Sequence, residues 1–214
     1  MKKILMNRLS FLITLLVLAS PLQAREWAFD VYLDKTKIGQ HTFKLNNAQQ
    51  LVSQAKFNVK VLFINAYEYQ HKAIENWQNN CLTALEADTT EDSVYTKVNG
   101  QLKADQFVVD NGKETQSLPT CPMTFAYWNQ KILSQSKLLN PQNADWLDTK
   151  VTKLGTELLD VKGKKVEATR YRLNASLNGK PKLNIELWYE NGSNDWVGLK
   201  SITPEGYTIN YKLK

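Results

Sequence analysis

The chain has 214 residues, with 27 Lys and Arg against 21 Asp and Glu, two His and a formal net charge of +6. Its basic residues are interspersed with acidic ones, so the one-signed patch or stripe of a nucleic-acid binder is missing and no nucleic-acid partner is expected. None of the nine glycines falls into a G-x-G-x-x-G or G-x-x-x-x-G-K pattern, so no phosphate cradle and no cofactor is expected either.

Lys2, Lys3 and Arg8 lead into an apolar run over 9–19, followed by Ser20-Pro21-Leu22-Gln23-Ala24. This charged, apolar, small-residue order is that of a secretory signal peptide, with cleavage expected before Arg25. Residues 1–24 are therefore read as a signal peptide and 25–214 as one exported, periplasmic domain. The apolar run is too short to span a bilayer comfortably, and no later stretch approaches 18 apolar residues, so no transmembrane segment is expected after cleavage.

Alternation dominates from Arg25 onward. Trp27, Phe29, Val31 and Leu33 share one parity and Asp30 and Asp34 the other, the period of a half-buried strand. A turn at Asp34-Lys35-Thr36-Lys37 leads to a strand over 38–46 with His41, Phe43 and Leu45 on one face, and the pair reads as a hairpin. Further strands are predicted over 51–64, 67–77, 82–88, 93–98 and 106–109, with turns at Asn99-Gly100 and Asp110-Asn111-Gly112. After Pro119-Thr120-Cys121-Pro122, the spacing of Phe125, Trp128 and Ile132 predicts a helix over 123–134. A second strand block follows at 150–161, 164–177, 183–189, 196–202 and 207–213, separated by Gly- and Asn-rich turns.

Short strands joined by tight turns point to a mainly β protein: a single antiparallel meander curled into a closed or half-open β-barrel, with the one helix plugging or flanking its concave side. Polar outward parities (Asp30, Gln40, Lys44, Thr208, Asn210, Lys212) argue against an outer-membrane barrel, whose lipid face needs an apolar band. Cys81 and Cys121 are the two cysteines. In an oxidising compartment they are expected to form a structural disulfide, and their spacing with only two distant histidines does not suggest a metal site.

Several segments resemble a known family. Residues 27–34 (Trp-Ala-Phe-Asp-Val-Tyr-Leu-Asp) with Ile38-Gly39, then Tyr127-Trp128-Asn129, Tyr171-Arg172-Leu173, Leu187-Trp188-Tyr189 and the ending Gly206-Tyr207-Thr208-Ile209-Asn210-Tyr211 are similar to a secreted bacterial family, domain of unknown function 6134. A more distant likeness is to family 3108, also secreted and β-rich. The resemblance implies export and a β fold, and transfers no catalytic residue.

The strand over 67–77 puts Tyr67, Tyr69, His71, Ala73, Glu75 and Trp77 on one face. An aromatic face with a few ionisable groups can line a cavity for a ligand, and His41 is placed to face the same hollow. Phe125 and Trp128 of the expected helix would cover its mouth. The plainer reading makes these residues ordinary core or rim side chains. Glu75 and His71, at i and i+4, lie about 13 Å apart along a strand and cannot form a dyad, and no nucleophile motif is present. The leading functional reading is a carrier for an apolar or amphipathic small molecule or lipid, with ligand contacts from His41, Tyr67, Tyr69, His71, Glu75, Trp77, Phe125 and Trp128. The alternative is a structural or interaction protein of the cell envelope with a solid core. An enzyme ranks third, and no catalytic residue is assigned.

Overall fold

A computed structural model describes residues 24–61, 64–203 and 206–214. The expected signal peptide thus lies, but for Ala24, outside the described residues. The strands are β1 (Arg25–Leu33), β2 (Thr36–Leu45), β3 (Gln50–Val61), β4 (Ile64–Gln78), β5 (Cys81–Glu91), β6 (Val94–Lys103), β7 (Gln106–Asp110) and β8 (Thr115–Pro119), then β9 (Lys137–Leu139), β10 (Trp146–Val161), β11 (Lys164–Leu177), β12 (Lys180–Glu190), β13 (Trp196–Ile202) and β14 (Thr208–Leu213).

All belong to one antiparallel sheet in the order β8-β7-β6-β5-β4-β3-β2-β1-β14-β13-β12-β11-β10-β9. Two meanders, β1 to β8 and β9 to β14, are therefore joined where the first strand pairs with the last, Phe29 opposite Leu213 and Val31 opposite Tyr211. The sheet curls but does not close by a strand ladder, because β8 and β9 are its two edges. Residues 120–136 cross between those edges. Leu139 N–H donates to the Met123 carbonyl at 2.8 Å, within a short parallel bridge of Thr124 to Leu139. The side chains of Asn111 and Gln116 add bonds to the carbonyls of Asn143 (2.9 Å) and Ala144 (3.1 Å). Backbone groups that an open edge would expose are partly satisfied in this way.

The period of two carries through to burial. Trp27, Phe29 and Val31 of β1 and His41, Phe43 and Leu45 of β2 face inward; Ile38, on the other parity of β2, is buried beyond the register shift between Val31 and Tyr32. At Gly39 the backbones of β2 and β3 approach so closely that a Cβ would stand 1.9 Å from the Lys56 carbonyl oxygen. Beyond a register shift between Lys153 and Gly155, the β10–β11 hairpin packs Leu159 and Val161 against Ala168, Trp188 and Val197.

Two expectations are corrected. The helix over 123–134 does not form; the segment is irregular and holds a five-residue 3-10 turn, Gln130–Ser134, begun by Asn129, whose side chain accepts from Lys131 N–H. Tertiary partners explain this: the chain is tied at Cys121 to Cys81 and bonded to β9 at Met123 and Thr124. Phe125 and Ile132 are each buried without helical geometry. Asn99-Gly100 is not a turn but lies inside β6, where a Cβ at Gly100 would meet the Phe107 ring at 2.5 Å. The short strands β8 and β9, unforeseen in the sequence, frame the opening.

Candidate functional site: an aromatic cavity within the curled sheet

The hollow of the sheet is unequally filled. Trp27, Trp77, Leu82, Leu85, Phe107, Ile132 and Trp196 pack solidly in the main core, which the Cys81–Cys121 disulfide ties to the crossing segment. Beside that core, between the inner faces of β2, β3 and β4 and those of β12, β13 and β14, a cavity of about 770 Å³ remains. It is partly open to solvent, with exposed Tyr207 in its lining, and its volume falls within the range of small-molecule sites.

The strand β4 supplies its aromatic wall. Tyr67, Tyr69 and His71 project from alternate positions and stack, with centroids 6.5 Å apart for the two tyrosines and 6.2 Å for Tyr69 and His71. Phe57 of β3 stacks on Tyr69 at 5.1 Å. Ile185, Leu199 and Ile209 add aliphatic surface on the opposite side, and Phe125 and Tyr127 come from the crossing segment.

The polar groups of the wall are largely engaged with one another. His41 Nδ1 lies 3.2 Å from the Tyr211 hydroxyl and Nε2 lies 2.7 Å from Ser53 Oγ. His71 Nδ1 lies 2.9 Å from Thr89 Oγ1, and the Tyr67 hydroxyl donates to Glu91 at 2.9 Å. Register places His41, Ala55, His71 and Thr89 in one row across β2, β3, β4 and β5. Burial holds the His41 imidazole well below its ordinary pKa, with the neighbouring His71 acting in the same direction. It pushes His71 down to about 4. Both are neutral at pH 7. Burial likewise keeps Tyr69, Tyr127 and Tyr211 protonated.

Glu75 is different. Its residue is 4% exposed, it borders the cavity, and its flanking partners in register are Leu51 and Leu85. Burial pushes its carboxyl up to about 7, against the neighbouring Thr124 hydroxyl and Trp77 indole, which favour the charged form. Only the indole holds hydrogen-bond geometry, Nε1 donating to Oε2 at 3.0 Å; Thr124 Oγ1 is buried without a partner among the described residues.

Of the residues singled out in the sequence, His41, Tyr67, Tyr69, His71, Glu75 and Phe125 line the cavity. Trp77 and Trp128 do not. They meet edge to face at 5.8 Å, Trp77 inside the packed core and half-buried Trp128 against it, where Trp128 also contacts Trp27. Phe125 lies beside the cavity as part of the crossing segment rather than on a helical lid. Ser53, Phe57, Tyr127 and Tyr211 were missed. The parity of Leu51 pointed to Ser53 and Phe57, whereas Tyr211 reaches His41 only because β14 pairs with β1. No group of three or more His, Cys, Asp or Glu is placed to hold a metal among the described residues. The Ser53–His41–Tyr211 chain resembles a nucleophile, base and orienter in order, but Ser53 sits in mid-strand, its backbone paired between β2 and β4.

The fold defines a class: antiparallel β-barrel-like proteins built on one curled sheet. Within it, the chain belongs to the family described as a domain of unknown function, DUF6134, which matches residues 29–214. The match is to DUF6134 and does not extend to the more distant likeness, family 3108. A solved structure, the β-barrel-like protein of domain of unknown function DUF1849 from Brucella abortus, is similar in fold with a TM-score of 0.63 at 14% identity, over 88% of this chain and 94% of that one. No curated protein matches the chain. Among the described residues, no helix is long and apolar enough to cross a membrane.

Proposed function

We propose that this protein is a periplasmic carrier that holds an apolar or amphipathic small molecule or lipid in the cavity of its curled sheet. The observation that carries this reading is the cavity of about 770 Å³, walled by stacked aromatics and aliphatic side chains. Its histidines are neutral and bonded internally. Such a wall offers dispersion and apolar area at little desolvation cost to an incoming chain. The N-terminal signal pattern supports the compartment. The cavity favours this reading over the rival one, an envelope protein with a solid core.

The test is uptake of Nile red, an uncharged polarity-sensitive dye, together with non-denaturing mass spectrometry of protein purified gently from its own periplasm. Saturable, blue-shifted dye fluorescence is expected in the wild type and its loss in Ala73→Phe, which fills the cavity from β4. A wild type that takes up no dye and carries no extra mass overturns the proposal.

A further inference from the structure

We infer that the cavity seats its ligand head-inward, with a hydrogen-bond-donating head, an alcohol or a protonated amine, against the Glu75 carboxyl and the apolar chain along the Tyr67–Tyr69–Phe57 wall. This rests on the carrier reading and specifies the ligand's chemistry.

The inference follows from which polar groups of the wall still have capacity. His41 is engaged at both ring nitrogens, His71 at Nδ1 by Thr89 and Tyr67 by Glu91, which leaves Glu75 as the buried acidic group of the lining. A carboxylate accepts at two oxygens with about four lone-pair directions. Glu75 receives one well-formed bond, from Trp77 to Oε2. No Lys or Arg forms an ion pair with it among the described residues, whereas Glu186, the other buried glutamate, is held by Arg170 and Arg172 at 2.7 and 2.8 Å.

A buried carboxyl without a cation is costly unless further donors reach it. Leu51 and Leu85 flank Glu75 on the neighbouring strands and the nearby Thr124 hydroxyl makes no hydrogen bond among the described residues, so the further donor is assigned to the cavity that Glu75 borders. An alcohol donates one hydrogen bond there, and an ammonium donates and pairs charge as well. A carboxylate head finds a like charge and is disfavoured. Tyr67, partly exposed, and Glu91 sit farther along β4 and β5 from Glu75, toward the Glu91–Asp92–Ser93 turn, so the chain of a head-inward ligand runs from the carboxyl past the aromatic stack.

The experiment displaces Nile red from the full-length mature protein at pH 8. It compares 1-dodecanol, dodecylamine and sodium dodecanoate, below their micellar concentrations, in wild type, Glu75→Gln and Glu75→Leu. In the wild type the alcohol and the amine are expected to displace dye at concentrations at least about tenfold lower than dodecanoate, the size of a charge-assisted hydrogen bond. Glu75→Leu should bring all three within about threefold of each other while still binding dye, and Glu75→Gln should retain the alcohol and lose the advantage of the amine. Preference for the alcohol alone or the amine alone identifies which head is used. Dye uptake with equal displacement by all three compounds, or a preference unchanged in Glu75→Leu, overturns this inference and leaves the carrier reading standing. Absence of dye uptake by the wild type overturns both.

Discussion

The carboxyl of Glu75 makes a quantitative demand on stability. In the folded chain its pKa is raised to about 7 from an ordinary 4.5, with burial as the leading cause. A group raised on folding stabilises the folded state fully below its unfolded pKa and loses that contribution as pH rises through the folded value. The loss therefore falls between about pH 4.5 and pH 7. At 1.36 kcal/mol per unit, it amounts to at most about 3 kcal/mol. Glu75→Gln keeps an acceptor for the Trp77 indole but cannot ionise. Urea unfolding of both proteins should give the variant an advantage about 2 to 3 kcal/mol larger at pH 8.5 than at pH 5. The histidines run the other way: His71, lowered to about 4 from 6.5, and His41 contribute stability that is present above pH 6.5 and lost on acidification. They are common to both proteins and cancel in the difference. A gap between wild type and variant that stays constant from pH 5 to pH 8.5 refutes the placement of an ionisable carboxyl in this apolar setting.

Two further outcomes concern the frame around the cavity. The Cys81–Cys121 bond spans a sequence separation of 40, for which chain entropy gives about 4 kcal/mol. Reduction should lower the melting temperature by roughly 8–16 °C, and an identical melt with and without reductant refutes this. Gly39→Ala forces a Cβ to within 1.9 Å of a backbone oxygen that cannot step aside, so a loss of about 3 kcal/mol or more is expected. Gly198→Ala, whose nearest contacts would be side-chain atoms at 3.5 and 3.6 Å, should change the denaturation midpoint far less. Equal effects at the two sites refute the close approach of β2 and β3.

The gap between reading and structure is clearest at particular residues. His41, Tyr69, His71 and Glu75 were legible as cavity residues because a strand's alternation sends every second side chain to one face, and that face was aromatic. The same rule could not separate Glu75 from Trp77, which share the parity. Which part of an inward face meets a void and which meets packed side chains depends on what arrives from the other half of the sheet. The helix expected over 123–134 fails for a related reason: Phe125, Trp128 and Ile132 recur at helical spacing, but spacing records burial, and here burial comes from an irregular strap held by the disulfide and by β9. Gly100 reads as a turn residue until the Phe107 ring above it accounts for the missing Cβ.

Sequence alone determined the strand-rich class, most strand positions, the hairpin order and the inward parities, because each depends on neighbours within a few residues. Only the tertiary structure decided that β1 meets β14, that the sheet stays open between β8 and β9, and that His41 touches Tyr211 across 170 positions. The cavity belongs to that second group. A hollow is set by the distance between surfaces far apart in the chain, and local periodicity carries no measure of that distance.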